Sequence, residues 1–86
     1  MSSIDEVKLH LATALAGTEQ AALGISGVVD RLDEAIALLR VVTVGSVHPK
    51  VDETINRLEQ AKALLRQGHA LVRGGIDSAQ EYSRTI

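Results

Sequence analysis

The chain has 86 residues, a formal net charge of -2, and 45% hydrophobic but only 1% aromatic residues. A domain of this size buries only about 60 to 70% of its unfolded surface, so its own core is marginal. The shortage of aromatic rings disfavours a ligand pocket, which usually has aromatic walls. There is no cysteine, which excludes disulfides, thiol catalysis and thiolate metal sites. The small negative charge gives no reason to expect nucleic-acid binding.

A first long helix is predicted over residues 4–43. Apolar residues recur there in alternating steps of three and four, a spacing typical of one helix face. This first ladder comprises Ile4, Val7, Leu11, Ala14, Thr18, Ala21, Ile25, Val28, Leu32, Ala35, Leu39 and Val42. A third heptad position is also apolar, with Leu15, Ala22, Val29 and Ile36. The stripe is therefore wider than the seam of a two-stranded coiled coil and indicates a bundle of three or four helices.

The two ends of this helix carry their own signals. Ser3 and Glu6 fit a capping box at its start. Between residues 35 and 44, apolar side chains point all round the helix. That pattern fits either a helix end buried beneath the turn or an exposed tip that binds a second subunit. A short strand over 41–44 is a further alternative, because all four residues there are β-branched.

A turn over residues 44–49 is expected to lead into a second helix over 50–84. Gly45 suits the left-handed position that ends a helix, and Pro49 suits the first turn of the next. The second ladder comprises Val51, Ile55, Leu58, Ala61, Leu65, Gly68, Val72, Gly75, Ala79, Tyr82 and Ile86. The sequence thus predicts an all-α fold with one domain over 1–86, a long antiparallel helical hairpin that dimerises into a four-helix bundle.

Four glycines are predicted to allow a close approach of the two helices. If the turn centres on Ser46, Gly17 lies level with Gly75, and Gly24 lies level with Gly68. A glycine inside a helix costs up to roughly 1 kcal/mol relative to alanine, so several together need a reason. Contact between two backbones at these glycines would supply one.

Bending of the helices is the alternative explanation for the glycines. Segments 24–27 and 74–75 each contain two glycines and are plausible breaks. In that case Ser78 could cap a separate short helix at the carboxyl end.

An internal repeat relates the two helices. Residues 31–40 and 57–66 are identical at seven of their ten positions. Duplication and convergence on good helix formers both explain the match, since one block is too short for a repeat protein.

The sequence offers no constellation for catalysis. His10, His48 and His69 do not share a helix turn, and no phosphate-binding loop or catalytic triad is recognisable. We therefore predict no catalytic residue, no metal and no cofactor, and expect that the chain is not an enzyme. Lys62 and Arg66 belong to a basic stripe, but acids flank it and no aromatic interrupts it, which disfavours nucleic-acid binding.

The broad apolar stripe favours an interaction protein. We expect it to pair with itself, as a homodimer or tetramer, or with a helix of a larger protein such as a toxin or secretion substrate. The predicted interface residues are Leu15, Ile25, Val29, Leu32, Ile36, Leu39, Val42, Leu65 and Val72. Alternatives are an amphipathic protein on membrane surfaces, which weak basicity disfavours, and an accessory subunit of an enzyme complex.

Thr43, Val44 and Gly45 stand where two long helices join, and this plan resembles the small ESX-type secreted hairpins, which carry Trp-x-Gly at that turn. The resemblance covers length, hairpin plan and apolar stripe over nearly the whole chain. Thr43 replaces the Trp, and Tyr82 is followed four residues later by Ile86 instead of the acid of the family's export signal. The leucine- and alanine-rich composition, with Gly45, Ser46 and Pro49 at the turn, also resembles that of short helical proteins of actinobacteria.

The location is predicted from what the sequence lacks. The amino terminus has no basic and apolar signal pattern, and no apolar run reaches about 18 residues. We therefore expect a cytoplasmic protein, with export by a route that needs no cleaved signal peptide as the alternative.

Overall fold

The structure is a computed structural model that describes residues 3–45 and 48–86. It contains two helices, α1 over Ile4–Val42 and α2 over Pro49–Thr85. Arg73, late in α2, contacts Glu19, early in α1, so the helices run antiparallel. The hairpin measures 65 × 18 × 14 Å. The predicted all-α helical hairpin is thus confirmed, with helix bounds within one residue of those expected.

Local signals act at both ends of α1, and of the predicted capping box the structure shows the bond to the Ser3 side chain. The Ser3 hydroxyl accepts a hydrogen bond from the Glu6 amide at 3.1 Å, which satisfies one free donor at the helix start. After Val42 the Thr43 amide still bonds to the Leu39 carbonyl at 3.1 Å, and Gly45 takes a φ of 83°. Because α1 continues to Val42, the alternative of a strand over 41–44 is wrong.

The start of α2 adds a cap that the sequence analysis did not predict. Pro49 lies in the first turn, as expected, and His48 before it is extended with a ψ of 127°. The His48 side chain serves as the cap, because its Nδ1 accepts a hydrogen bond from the Lys50 amide at 3.1 Å. Ser46 and Val47, in the middle of the predicted turn, lie outside the described residues.

The seam between the helices uses only half of the first ladder. The buried side chains of the described residues are Ala22, Val29 and Ile36 from α1 and Ile76 from α2. Half-buried beside them are Leu11, Leu15, Thr18, Ile25, Leu32 and Leu39 of α1, and Ile55, Leu58, Lys62, Leu65, His69, Val72 and Ala79 of α2. The other half of the first ladder is exposed, namely Ile4, Ala14, Ala21, Val28, Ala35 and Val42. The apolar stripe is therefore turned partly away from α2.

The glycines do not form the predicted close approach. A Cβ atom added at Gly17, Gly24, Gly68 or Gly75 would meet nothing within 4 Å. Equal height along the helix axis does not bring these glycines together, because they lie beside the contact between the helices and not in it. The alternative of breaks at 24–27 and 74–75, with a separate helix after them, is wrong too, since each helix runs on without interruption.

Candidate interaction surface

One side of the hairpin is charged. The heptad position that flanks the seam on this side carries Glu19, Asp33 and Arg40 on α1, and Glu59, Arg66 and Arg73 on α2. Arg73 Nη1 lies 2.6 Å from Glu19 Oε2, and Arg40 Nη2 lies 3.3 Å from Glu59 Oε1. We call this the charged side. Its ion pairs join α1 to α2, and each of these six residues has an oppositely charged partner within the chain.

Lys62 lies at the centre of the charged side. Although it occupies a seam position and its side chain is only 12% exposed, its Nζ lies 2.6 Å from Asp33 Oδ1 and 3.0 Å from Glu59 Oε2. Its hydrogen bonds hold the pKa of both carboxyl groups below their usual values. The same bonds, to Asp33 first, raise the pKa of Lys62. The aliphatic stem packs in the seam while the charged end reaches the edge.

The internal repeat builds this ion cluster. Asp33 and Glu59 occupy equivalent positions of the two repeats, as do Arg40 and Arg66. Each acid faces the arginine of the other repeat, at 3.3 Å for Arg40 with Glu59 and 3.7 Å for Arg66 with Asp33. Exposed pairs of this kind stabilise little individually. Together they distinguish the observed register from one shifted by a turn, so we assign the charged side to holding the hairpin.

Acid is expected to destabilise the hairpin, and Lys62→Met is expected to reduce that sensitivity. Because the pKa values of Asp33 and Glu59 are lowered on folding, their stabilisation is present above an ordinary carboxyl pKa of about 4 and is lost as the pH falls through the lowered values. Urea midpoints at about pH 7 and pH 3 measure the loss. The difference between them should shrink in Lys62→Met and persist in Lys8→Met, which removes an exposed lysine. Equal differences in both variants would contradict the assignment.

The opposite side of the hairpin has no charge. Its flanking heptad position carries Val7, Ala14, Ala21, Val28, Ala35 and Val42 on α1, and Thr54, Ala61, Gly68, Gly75 and Tyr82 on α2. None of these eleven residues is charged, and most are small. A pocket of about 280 Å³ opens between the helices here, with Ala14 and Gly75 in its lining. We call this the uncharged side.

Each helix also carries an outer ladder that adjoins the uncharged side. On α1 this ladder is Ala14, Gly17, Ala21, Gly24 and Val28, and on α2 it is Ala61, Leu64, Gly68, Leu71 and Gly75. Both keep the alternating steps of three and four that pack against another helix. Leu64 and Leu71 are 63% and 72% exposed. Over these residues the outer ladders are apolar, and all but the half-buried Ala61 and Gly68 are exposed; the same heptad positions continue to Arg31 and Leu38 on α1 and to Arg57 on α2.

The sequence-predicted interface residues lie mostly inside the hairpin. Eight of the nine are buried or half-buried between α1 and α2, and Val42 is the exception. Two polar residues could have shown which residues of α2 face α1. Lys62 and His69 lie in the seam of α2, and neither belongs to its predicted ladder. At the tip Val41, Val42 and Val44 are exposed, so the alternative of a helix end buried beneath the turn is wrong.

The three histidines lie in three different surroundings. His10 is exposed on α1, and His48 caps α2. His69 is half-buried beside Asp33 and Arg66, around a pocket of about 250 Å³ on the charged side. Over residues 3–45 and 48–86, no group of three or more acidic or histidine side chains could hold a metal ion.

No protein-family model, curated protein or solved structure matches this chain. Neither helix, over the residues described, has the length and apolar character needed to cross a membrane.

Proposed function

We propose that this chain is a non-enzymatic self-association module, in which two hairpins pack through their uncharged sides into a four-helix bundle. The observation that carries the proposal is the direction of the apolar surface. On each helix the outer ladder is the seam displaced by one residue, for example Ala21 beside Ala22, which is a rotation of about 100°. Each helix of a four-helix bundle packs against two neighbours, and the directions from its axis to these two neighbours are roughly at right angles. One neighbour is the other helix of the chain, and the second is a helix of another copy.

The first ladder then points to the centre of the bundle. Its residues belong half to the seam and half to the uncharged side, so its axis lies between the two contacts. Ile25 and Val28 illustrate the two halves, since Ile25 is half-buried in the seam and Val28 is 44% exposed. The most apolar face of the helix would face the common core.

The exposed area supports the same proposal. One hairpin exposes 6398 Å², whereas a folded monomeric protein of 9.1 kDa is expected to expose about 4,900 Å². The excess of about 1,500 Å² per chain is in the range that each subunit covers in obligate homodimers, whose interfaces total about 2,000 Å² or more. A second copy on the uncharged side would remove it.

The solution mass across a dilution series tests the proposal. We expect light scattering to give twice the 9.1 kDa of one chain at micromolar concentration, and the thermal midpoint to rise with protein concentration, because association stabilises the folded state. A folded monomer at every concentration would overturn self-association. It would favour a helix of a larger protein, such as a toxin or secretion-system protein, on the same side.

A further inference from the structure

We propose that the second copy docks with its turn at the same end of the bundle, so that α1 of each copy packs antiparallel against α2 of the other. The inference rests on the proposed self-association and adds the orientation of the two copies. Two hairpins related by a two-fold axis have two ways to join their uncharged sides. If the axis runs along the bundle, both new contacts are α1 with α2. If it runs across the bundle, one contact is α1 with α1 and the other is α2 with α2.

Side-chain size distinguishes these two arrangements. The outer ladder of α1 contains glycine, alanine and one valine, whereas that of α2 carries the exposed leucines Leu64 and Leu71. The contact between Arg73 and Glu19 places Leu71 near the level of Ala21, and the contact between Lys62 and Asp33, which is offset by three residues, places it near Gly24. Leu71 therefore lies at the height of small residues of α1, whereas Leu64 lies near the level of Val28.

The axis along the bundle makes both contacts alike, with the leucine-bearing outer ladder of α2 against the smaller residues of the α1 ladder, and in the layer of Ala21 with Leu71 a large side chain directly faces a small one. Successive layers, named first from α1 of one copy and then from α2 of the other, would be Gly17 with Gly75, Ala21 with Leu71, Gly24 with Gly68, and Val28 with Leu64. Alternation of large and small residues across facing positions is how helices fill the space between them at native density. The two contacts are also identical by symmetry, so the four helices remain evenly spaced.

The axis across the bundle packs poorly with this sequence. It would set the leucines of α2 against the leucines of the other α2, and the small residues of α1 against the small residues of the other α1. Helix axes lie roughly 8 to 10 Å apart according to the side chains at the contact, so one pair would be held wide while the other closed. Such a wedge leaves a gap or splays the hairpins.

The open space at the glycines fits the first arrangement. Within the chain, a Cβ atom added at Gly17, Gly24, Gly68 or Gly75 would meet open space. They would form the layers in which backbones of different copies come closest. Gly27 and Gly74 have equally open surroundings but lie one heptad position outside these layers, on the polar faces. They serve as matched controls.

Disulfide trapping tests the orientation, and the absence of native cysteine makes it clean. A chain with Gly24→Cys is mixed with a chain with Gly68→Cys, the subunits are allowed to exchange, and the mixture is oxidised. We expect roughly tenfold more disulfide-linked mixed dimer than from Gly27→Cys with Gly74→Cys, because a disulfide requires Cα atoms about 4.4 to 6.8 Å apart. Gly17→Cys with Gly75→Cys should behave like the first pair.

The opposite orientation has its own signature. If the axis crosses the bundle at the middle of α1, which runs over Ile4–Val42, residue 24 lies near it. Gly24→Cys would then form a disulfide with the same residue of another copy, and the yield of the mixed dimer would fall. That result, in a chain whose mass is that of a dimer, would overturn the orientation and leave self-association intact. Equal yields from test and control pairs would overturn it as well. A chain that is monomeric by light scattering would overturn both proposals.

Discussion

Ile76→Ala is expected to unfold a large part of the chain. Among the residues described, Ile76 is the one fully buried side chain of α2, with an exposure of 0%, and it lines the pocket between the helices together with Leu15. Truncating a buried isoleucine to alanine costs about 2 to 5 kcal/mol. In chains below about 70 to 80 residues one hydrophobic core rarely supplies more than about 3 to 5 kcal/mol, and this chain, with 86 residues and four buried side chains among those described, is only slightly longer. The loss is therefore comparable with the whole free energy of unfolding.

Urea unfolding followed by circular dichroism measures this effect. The matched control is Leu23→Ala, which truncates an aliphatic side chain that is exposed and lies away from the uncharged side. Its free energy of unfolding should stay within about 0.5 kcal/mol of the wild type. If Ile76→Ala and Leu23→Ala unfold at the same urea concentration, the seam described here does not hold the hairpin together.

Helix bounds, caps and the turn glycine could be predicted because local chemistry determines them. Ser3 and Glu6 are three residues apart and need no tertiary contact to bond. Gly45 ends a helix through a φ of 83°, a conformation that few other residues adopt. The continuity of the helices through Gly24 and Gly74 was harder to predict. Isolated helix propensity disfavours glycine there, and only the apolar residues around it keep the helix intact.

The choice of which half of the apolar stripe faces α2 could not be predicted from apolar residues alone. Ala21 and Ala22 are equally apolar, yet Ala22 is buried and Ala21 exposed. In α2 the residue that identifies the face toward α1 is Lys62. An apolar pattern excludes this charged residue, but it lies in the seam because Asp33 and Glu59 neutralise its charge. The equivalent acids of the repeat were visible in the sequence. Their meeting at one lysine required the register of the hairpin.

The same reasoning explains why the prediction of facing glycines was wrong. A sequence gives the height of a residue along a helix from its number, and the heights of Gly17 and Gly75 were inferred in that way. Direction around the axis depends on where the seam lies, and a seam displaced by one residue turns a side chain by about 100°. Gly17 and Gly75 are exposed beside the seam, where the layers proposed above would place them against another copy.

Ala21→Glu is expected to raise the dissociation constant of the dimer by roughly 100-fold or more. Ala21 is exposed in the hairpin and central on the uncharged side, so the glutamate meets water in the monomer but an apolar contact in the dimer. An uncompensated buried charge costs about 3 to 5 kcal/mol, and a symmetric dimer would bury two. The free energy of unfolding of the hairpin itself should change by no more than about 0.5 kcal/mol.

Gln20→Glu is the matched control for Ala21→Glu. It adds the same charge one residue earlier, on the polar face of α1, which leads away from the proposed contact. Sedimentation of both variants over the same concentrations compares their dissociation constants, and circular dichroism confirms that both remain helical. Because the two substitutions differ by one position and about 100° around the helix, a difference between them reports on direction and not on net charge. If both variants dimerise as tightly as the wild type, the second copy does not lie on the uncharged side.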